Sequence, residues 1–552
     1  MFTQNISHKE AFGGRLDEGF ATAKFQGREF NYEFLGQYTK LLGDVSLNAN
    51  VGANKYTRNF TGVGGSTVGG LSSPAFYSLA GSIARPNIFS SIQNKQTRSL
   101  YGLVSLGYKD IYFIDGSIRN DVSSALPVNN NSYWYPSVSA SFVFSELLKW
   151  KPLSFGKLRA GYAIAGSDLE PYQTGSSFNV GTVYTGATST INTLSVPDRL
   201  NNPNIEPSFA KSFETGVELG FLNGRTGIDF TYYRQKNENQ IISLDVSGAS
   251  GFSSTVVNAG LIENKGIELS LTGKPVLSNF FSWSTTLNFA RNRSMVKELY
   301  PGINVYQLDN NTYSSVPIFL NATVNEPFGS LVGQAYKRDP KTNKILLDAS
   351  NLPQFVTNNN FGSVLPDFTG GFLNSFKVWK FDLSAMIDFQ SGGQFFSWSK
   401  MLAIKSGQAA ETAVLNDKGF NVRDPVASGG GVKVEGVSAA SGQEVTAYVD
   451  ARSYFRNTIG TRIYEEWLFD ASYIKLREVS LGFIVDKEIL SKTPFRTAKI
   501  ALIARNPLMI WQKAPKGLEP SELSYGSGSI SWLEKGEFQT VRSYGVSLNL
   551  SF

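Results

Sequence analysis

Residues 543–552 read SYGVSLNLSF. Tyr544, Val546, Leu548, Leu550 and Phe552 are apolar or aromatic, and Ser543, Gly545, Ser547, Asn549 and Ser551 are small or polar. Alternation of period two gives a strand with one greasy face and one wet face. A soluble edge strand is usually blunted by charge or proline, and this one carries neither. Two readings fit the ten residues. One is the closing strand of a barrel whose outside faces lipid. The other is an amphipathic strand on a soluble sandwich core.

Composition favours the barrel. Charged residues are 17% of 552, hydrophobic residues 41% and aromatic residues 13%. A soluble chain carries about 25% charged residues. Mean hydropathy is −0.15, and no run nears the roughly 18 apolar residues that a spanning helix needs. Barrel strands hide their lipid face in alternation instead. Cysteine is absent and His8 is the single histidine, so a Cys/His zinc site and a thiol nucleophile are excluded. A Ser-His-Asp triad would rest on His8, in a polar stretch with no nucleophile elbow. The net charge of +6 comes without a Lys/Arg block, so nucleic acid is not indicated. Residues 1–14 lack the charged and apolar regions of a signal peptide.

Alternating segments can be followed at 29–40, 44–60, 98–108, 111–122, 136–144, 155–164, 211–221, 225–236, 262–273, 280–296, 368–378, 381–389, 472–483, 498–511 and 540–552. They predict about fifteen strands within 28–552, after a poorly patterned segment at 1–27 that could hold a partial strand. Short connections are expected at 41–43, 109–110, 145–154, 223–224, 274–279, 379–380 and 484–497. Asn223–Gly224 between two alternating runs is a hairpin signal. Long ones are expected at 61–97, 123–135, 165–210, 237–261, 297–367, 390–471 and 512–539. Short and long connections alternate, as periplasmic turns and extracellular loops do in an outer-membrane barrel. The predicted fold is an all-β, transmembrane antiparallel β-barrel. A soluble propeller or solenoid would show a repeat of about 40–50 residues, and none is visible.

No catalytic constellation emerges, and no enzyme activity, cofactor or metal is expected. Glu465–Glu466 reads as a solvated pair. Gly429–Gly431 lacks the Lys-Ser/Thr of a phosphate loop. Asp339, Asn343 and Asp348 lack EF-hand spacing and read as a hairpin turn. The substrate candidates are loop aromatics: Tyr172, Tyr184, Tyr313, Phe395, Trp398, Trp467 and Trp532. Rings give stiff contact area to sugars or peptides. The bland alternative is that they pack loop on loop or sit in the membrane-interface girdle.

The motifs carry a family likeness. They are SLYGLVSLGYKDIYFIDGSIRNDVSSALP with YWYPSVSASFVFSEL, GKLRAGYAIAGSD, NPNIEPSFAKSFETGVELGFLNGRTGIDFTYYRQKNENQII, NAGLIENKGIELSL, DFTGGFLNSFKVWKFDLSAMIDFQSGGQ, YIKLREVSLGF and the closing SYGVSLNLSF. In this order they resemble the C-terminal half to two-thirds of SusC/RagA-type TonB-dependent transporters, the nutrient importers of Bacteroidota outer membranes. The resemblance implies the last ~15 strands of a barrel of about 22 strands. It implies uptake of glycans, glycan fragments or peptides, a SusD-like surface lipoprotein as lid, and the TonB system acting through an N-terminal plug. The plug and early strands lie outside this chain, and something must supply them. A plugless structural or interaction component of a larger outer-membrane assembly is the alternative. Asn258, Gly260, Asn264, Lys265, Gly266 and Glu268 match the family motif. They are expected to be structural, setting a strand entry and a hydrogen bond on the lumen side. The row from Tyr544 through Val546, Leu548 and Leu550 to Phe552 looks like the signal read by the barrel assembly machinery before insertion into the bilayer.

Overall fold

The computed structural model describes residues 2–9, 18–185, 190–311, 317–525, 530–536 and 540–552. The chain divides into two units. One comprises Met1–Phe142, Arg159–Phe213 and Lys236–Gly260; the other comprises Val143–Leu158, Glu214–Gln235 and Leu261–Phe552.

In the first unit, consecutive strands pair antiparallel. They are β1 (Phe2–Lys9), β2 (Gly19–Leu42), β3 (Val45–Leu71), β4 (Ser82–Tyr108), β5 (Tyr112–Ser123) and β6 (Ser132–Phe142). Strands β7 (Leu153–Ser167), β8 (Ser208–Phe221), β9 (Thr226–Asp245) and β10 (Ser254–Leu277) contribute residues to both units. In the second unit, the meander continues from β10 through β11 (Phe281–Glu298), β12 (Phe368–Val378), β13 (Phe381–Ser391), β14 (Tyr473–Ile484), β15 (Thr497–Gln512) and β16 (Ser543–Ser551). All fifteen predicted strands appear as β2–β16.

The turns follow from their residues. Asn223 and Gly224 both have positive φ, at 56° and 77°. With Leu222, also at positive φ (54°), they form the left-handed run of the connection between Phe221 and Thr226, a conformation that Asn-Gly tolerates. Lys109 and Asp110 are left-handed too, at 54° and 55°.

Several boundaries need correction. The partial strand allowed for within 1–27 is present as the start of β2, and β1 pairs with it, from Phe2 opposite Gln26 to Lys9 opposite Gly19. The stretch 61–97 is mostly ladder, with pairing that runs on to Leu71 opposite Ser82. Its glycines read as loop but serve packing. A Cβ on Gly64 would lie 2.7 Å from the Phe89 ring. Phe25 stacks on Phe60 and Phe89 at 5.7 and 6.1 Å, so aromatic rings lie over a strand made bare for them. The connections 123–135 and 237–261 likewise shrink to 124–131 and 246–253. Part of 165–210 folds as a small hairpin, Asn179–Thr185 with Thr190–Ser195.

The two faces of the strands differ. On β16 the apolar row is exposed: Tyr544 74%, Val546 71%, Leu548 58% and Phe552 76%. Its register partners on β15 are apolar too, with Leu548 opposite Ile500 and Val546 opposite Leu502. Tyr108, Tyr112 and Phe142 form one such row across β4, β5 and β6. Their rings stack, with Tyr112 and Phe142 5.1 Å apart. The opposite face is polar and bonded. Ser117 and Ser137 lie 2.6 Å apart through their hydroxyls. Arg119 donates to Asp121 (2.8 Å), Tyr135 (2.9 Å) and Ser99 (2.7 Å). A soluble sheet buries its apolar row and wets the other. Here the apolar row faces out and the hydrogen-bonding row faces in, the arrangement that lipid selects.

In the second unit the expected loops 297–367, 390–471 and 512–539 fold together. They form a four-stranded sheet (Val305–Asn311, Ile318–Thr323, Ser330–Tyr336, Phe355–Ser363), a second one (Leu468–Asp470, Gln394–Ser397, Ser531–Glu534, Ser524–Tyr525) and a three-stranded one (Leu346–Leu347, Val432–Ser438, Glu444–Val449). A shared core of Leu331, Ile463, Trp467, Trp532 and Leu533 holds this layer together.

Candidate functional site

The loop layer carries a cleft of about 900 Å³. Helix α1 (Trp398–Lys405) forms one wall. Ser397 caps its start, accepting from the Lys400 amide at 3.2 Å, and Met401 and Ile404 are buried beneath it. The opposite wall is a π-helical turn, Ser453–Ile459, that buries Thr458 and Ile459. Asp450 Oδ2 caps this turn, accepting from the Ser453 amide (2.8 Å) and hydroxyl (3.0 Å). Thr458 Oγ1 donates to the Ser453 carbonyl at 2.9 Å, and Thr461 Oγ1 to the Arg456 carbonyl at 2.6 Å. Such widened turns recur at functional sites.

The cleft is basic. Lys405, Arg423, Arg452, Arg456 and Lys535 line it, against Asp450 alone among carboxylates. Arg423 is tied to its own wall, donating to the Thr412 carbonyl (2.7 Å), the Thr412 hydroxyl (2.5 Å) and the Gly407 carbonyl. Arg452 and Arg456 stand four residues apart on one helical face and are exposed. Neither makes an ion pair among the described residues. A concave site lined by one sign of charge concentrates ligands of the other sign.

The aromatic candidates are not brought together as a binding surface. Phe395 and Trp532 are 0% exposed and Trp467 is 4% exposed. Trp532 Nε1 donates to Asp309 (3.0 Å) and Trp467 Nε1 to the Ile459 carbonyl (3.0 Å). Their rings hold the loop layer together, so the substrate-contact reading of these three is corrected to a packing one. Trp398 is half-buried against the same core. Tyr172, in the first unit, is exposed, and its hydroxyl accepts from the Asn94 amide at 3.2 Å. Tyr184 lies in strand Asn179–Thr185, and its side chain is outside the described residues, as is Tyr313. Sequence reading missed the basic cleft because its five cations come from four separate places in the chain. The only local signal is the four-residue spacing of Arg452 and Arg456. The aspartates weighed for calcium make turns: Asp339 Oδ2 accepts from the Thr342 amide and hydroxyl, both at 2.8 Å.

The motif residues act on backbone and packing. Asn258 accepts from the Glu206 amide (2.8 Å) and donates to the carbonyls of Glu206 (2.8 Å) and Asn239 (3.2 Å). Gly260 has φ +87°. A Cβ on Gly266 would lie 2.3 Å from the Tyr233 ring and 2.6 Å from the Arg291 carbonyl. Lys265 pairs with Glu263 at 2.8 Å. Asn264 stands opposite Ser294 in the ladder. Glu263, on the opposite face from Glu268, accepts from Arg234 Nε at 2.8 Å. The R-x-D-x-S-S stretch is also structural. Below the Arg119–Asp121 pair, Ser123 donates to Asp168, which holds Lys95 at 2.6 Å.

Strands with an apolar outer row, a bonded polar row and folded loops at one end define an outer-membrane β-barrel protein. Residues 3–398 match the family described as TonB dependent receptor-like, beta-barrel. The chain belongs to this family. It is similar to TonB-dependent receptor P3 of Formosa agariphila, 24% identical over 558 residues, covering 95% of this chain and 51% of that protein. TonB-dependent receptor SusC of Bacteroides thetaiotaomicron is 25% identical over 216 residues, 37% of this chain and 21% of that one. The RagAB peptide importer in its open-open state shares the fold at TM-score 0.77 and 19% identity, covering 100% of this chain and 58% of that one. The chain thus spans about half the length of the curated relatives it matches over most of its own. These relatives are receptors and transporters, not enzymes.

Proposed function

We propose that this chain forms the wall and outer loop layer of an importer that takes glycans, glycan fragments or peptides across the outer membrane. The observation that carries this reading is the polar face of the wall, opposite a greasy one. Tyr473 donates to Asp388 (3.0 Å), and Arg477 bridges Asp388 (2.9 Å) and Glu522 (2.7 Å). Such a face suits water and a hydrated solute. Substrate moves past it by displacement of a plug, supplied from outside these residues and pulled by the TonB system. A SusD-like surface lipoprotein closes the loop side. The basic cleft offers a first hold on anionic groups of the cargo. The row Tyr544–Phe552 is the recognition signal for the barrel assembly machinery.

Uptake of a labelled oligosaccharide or peptide pool by intact cells tests this. Loss of uptake on deleting the chain, and equal loss on depleting TonB, is the expected result. Uptake unchanged by either deletion or TonB depletion overturns it in favour of a plugless structural component.

A further inference from the structure

The apolar row of the second unit ends in a cluster of cations, at the strand ends from which the long loops leave. The ladder fixes which side chains share this face. Leu269 stands opposite Phe289, which stands opposite Gly370, which stands opposite Phe389. One row lower are Leu271, Leu287, Phe372 and Ile387. Phe289 packs on Phe368 at 5.4 Å. Moving two residues at a time toward the loops keeps to the same face and reaches Arg291, then Arg293 with Lys265 directly opposite. Arg234 joins them through its bond to Glu263.

Like charges opposite one another in a ladder repel, and Lys265 and Arg293 are such a pair. Two carboxylates meet four cations. Glu263, 5% exposed, is shared by Arg234 and Lys265. Asp367 lies 3.8 Å from Arg293, beyond hydrogen-bond reach. Arg291 is exposed and makes no ion pair among the described residues. The cluster therefore keeps an excess of positive charge. It sits where an apolar, lipid-facing surface gives way to the headgroup layer. Basic side chains at that depth attract anionic headgroups, and their stems can lie along the acyl region.

We propose that Arg291 and Arg293, with Arg234 and Lys265 beside them, seat the phosphate of an outer-leaflet glycolipid whose acyl chains lie along the Leu269–Phe289–Phe389 row. Arg suits this role because its planar fork meets a phosphate with two parallel hydrogen bonds. The site is independent of what the protein imports, since it rests on the wall alone.

The test uses the full chain in detergent micelles. Binding of a phosphorylated lipid A, its dephosphorylated counterpart and inorganic phosphate is followed by native mass spectrometry. The phosphorylated lipid is expected to bind roughly 30-fold more tightly than the dephosphorylated one, from two cations at the surface. Inorganic phosphate at equal concentration is expected not to displace it. R291Q/R293Q should remove the preference, and R291K/R293K should keep most of it. Equal binding of the two lipids by the native chain overturns the proposal, as does a preference that survives R291Q/R293Q. Displacement by inorganic phosphate assigns the cluster to free anions and overturns the lipid assignment. If R291Q/R293Q does not fold, the two lipids on the native chain and on R291K/R293K still decide.

Discussion

The wall and the loop layer of the second unit use the same residue types for opposite ends. On β16, Tyr544 is 74% exposed and Leu548 58%. In the loop layer, Trp532 and Phe395 are 0% exposed. The wall places apolar side chains on one flat face at every second residue, where the only medium that accepts them is lipid. The loop layer gathers them from three distant connections into a closed core in water. An exposed leucine means nothing by itself. A row of them opposite a hydrogen-bonded polar row identifies the solvent on each side.

The two regions should therefore break differently. The largest effect is expected from removing 543–552, which takes away the partner of Thr497–Arg505. Assembled protein in the outer membrane should fall to background, and Phe552→Ala, which removes the ring 5.1 Å from Phe495, should lower it several-fold. Trp532→Ala should cost the loop layer about 3–5 kcal/mol, read as lost hydrogen-exchange protection in 299–367 and 392–472. The β10–β16 ladder should stay protected. Joint loss would mean that wall and loops unfold as one. Gly266→Ala should destabilise the wall by about 1–3 kcal/mol through its clashes with the Tyr233 ring and the Arg291 carbonyl, and Tyr233→Ala should relieve only the part due to the ring.

Smaller changes probe the loop layer without unfolding it. Arg452→Gln with Arg456→Gln should leave thermal stability unchanged. Affinity for an acidic oligosaccharide should drop roughly tenfold at low ionic strength and less at high salt. The smallest effect concerns pH. Burial pushes the Glu519 carboxyl up, but bonds from Lys475 and Ser521 outweigh it and hold it below the usual glutamate range. Its stabilisation is then present above the unfolded value of about 4.3 and fades as pH falls through the lower folded value. Protease nicking of 513–536 should rise only in that acid range.

The wall was legible and the loop layer was not, for one physical reason. A strand with lipid on one side and water on the other must alternate, so 98–108 and 543–552 declare themselves locally. The Asn223–Gly224 turn does so through its left-handed φ values. Long-range packing writes no such period. Gly62 and Gly64 looked like loop because the rings that need their space, Phe25 and Phe89, lie far away in sequence. Trp467 and Trp532 looked like ligand rings because the core that buries them comes from other connections. The cleft's charges are as scattered. The ion pairs of Glu263 with Arg234 and Lys265 were not legible in the motif, because which side chains meet across a ladder depends on register.

The native chain contains no cysteine, which makes single-cysteine spin labelling the most direct test. Nitroxides at Leu548→Cys and Asn549→Cys would be compared for collision with oxygen, which partitions into lipid, and with a water-soluble nickel chelate. Oxygen should dominate at position 548 and nickel at position 549, with the same alternation on β15 at Leu502→Cys and Ile503→Cys. Nickel access at 548 equal to that at 549 would contradict the assignment of lipid to the apolar row, and with it the account of the wall.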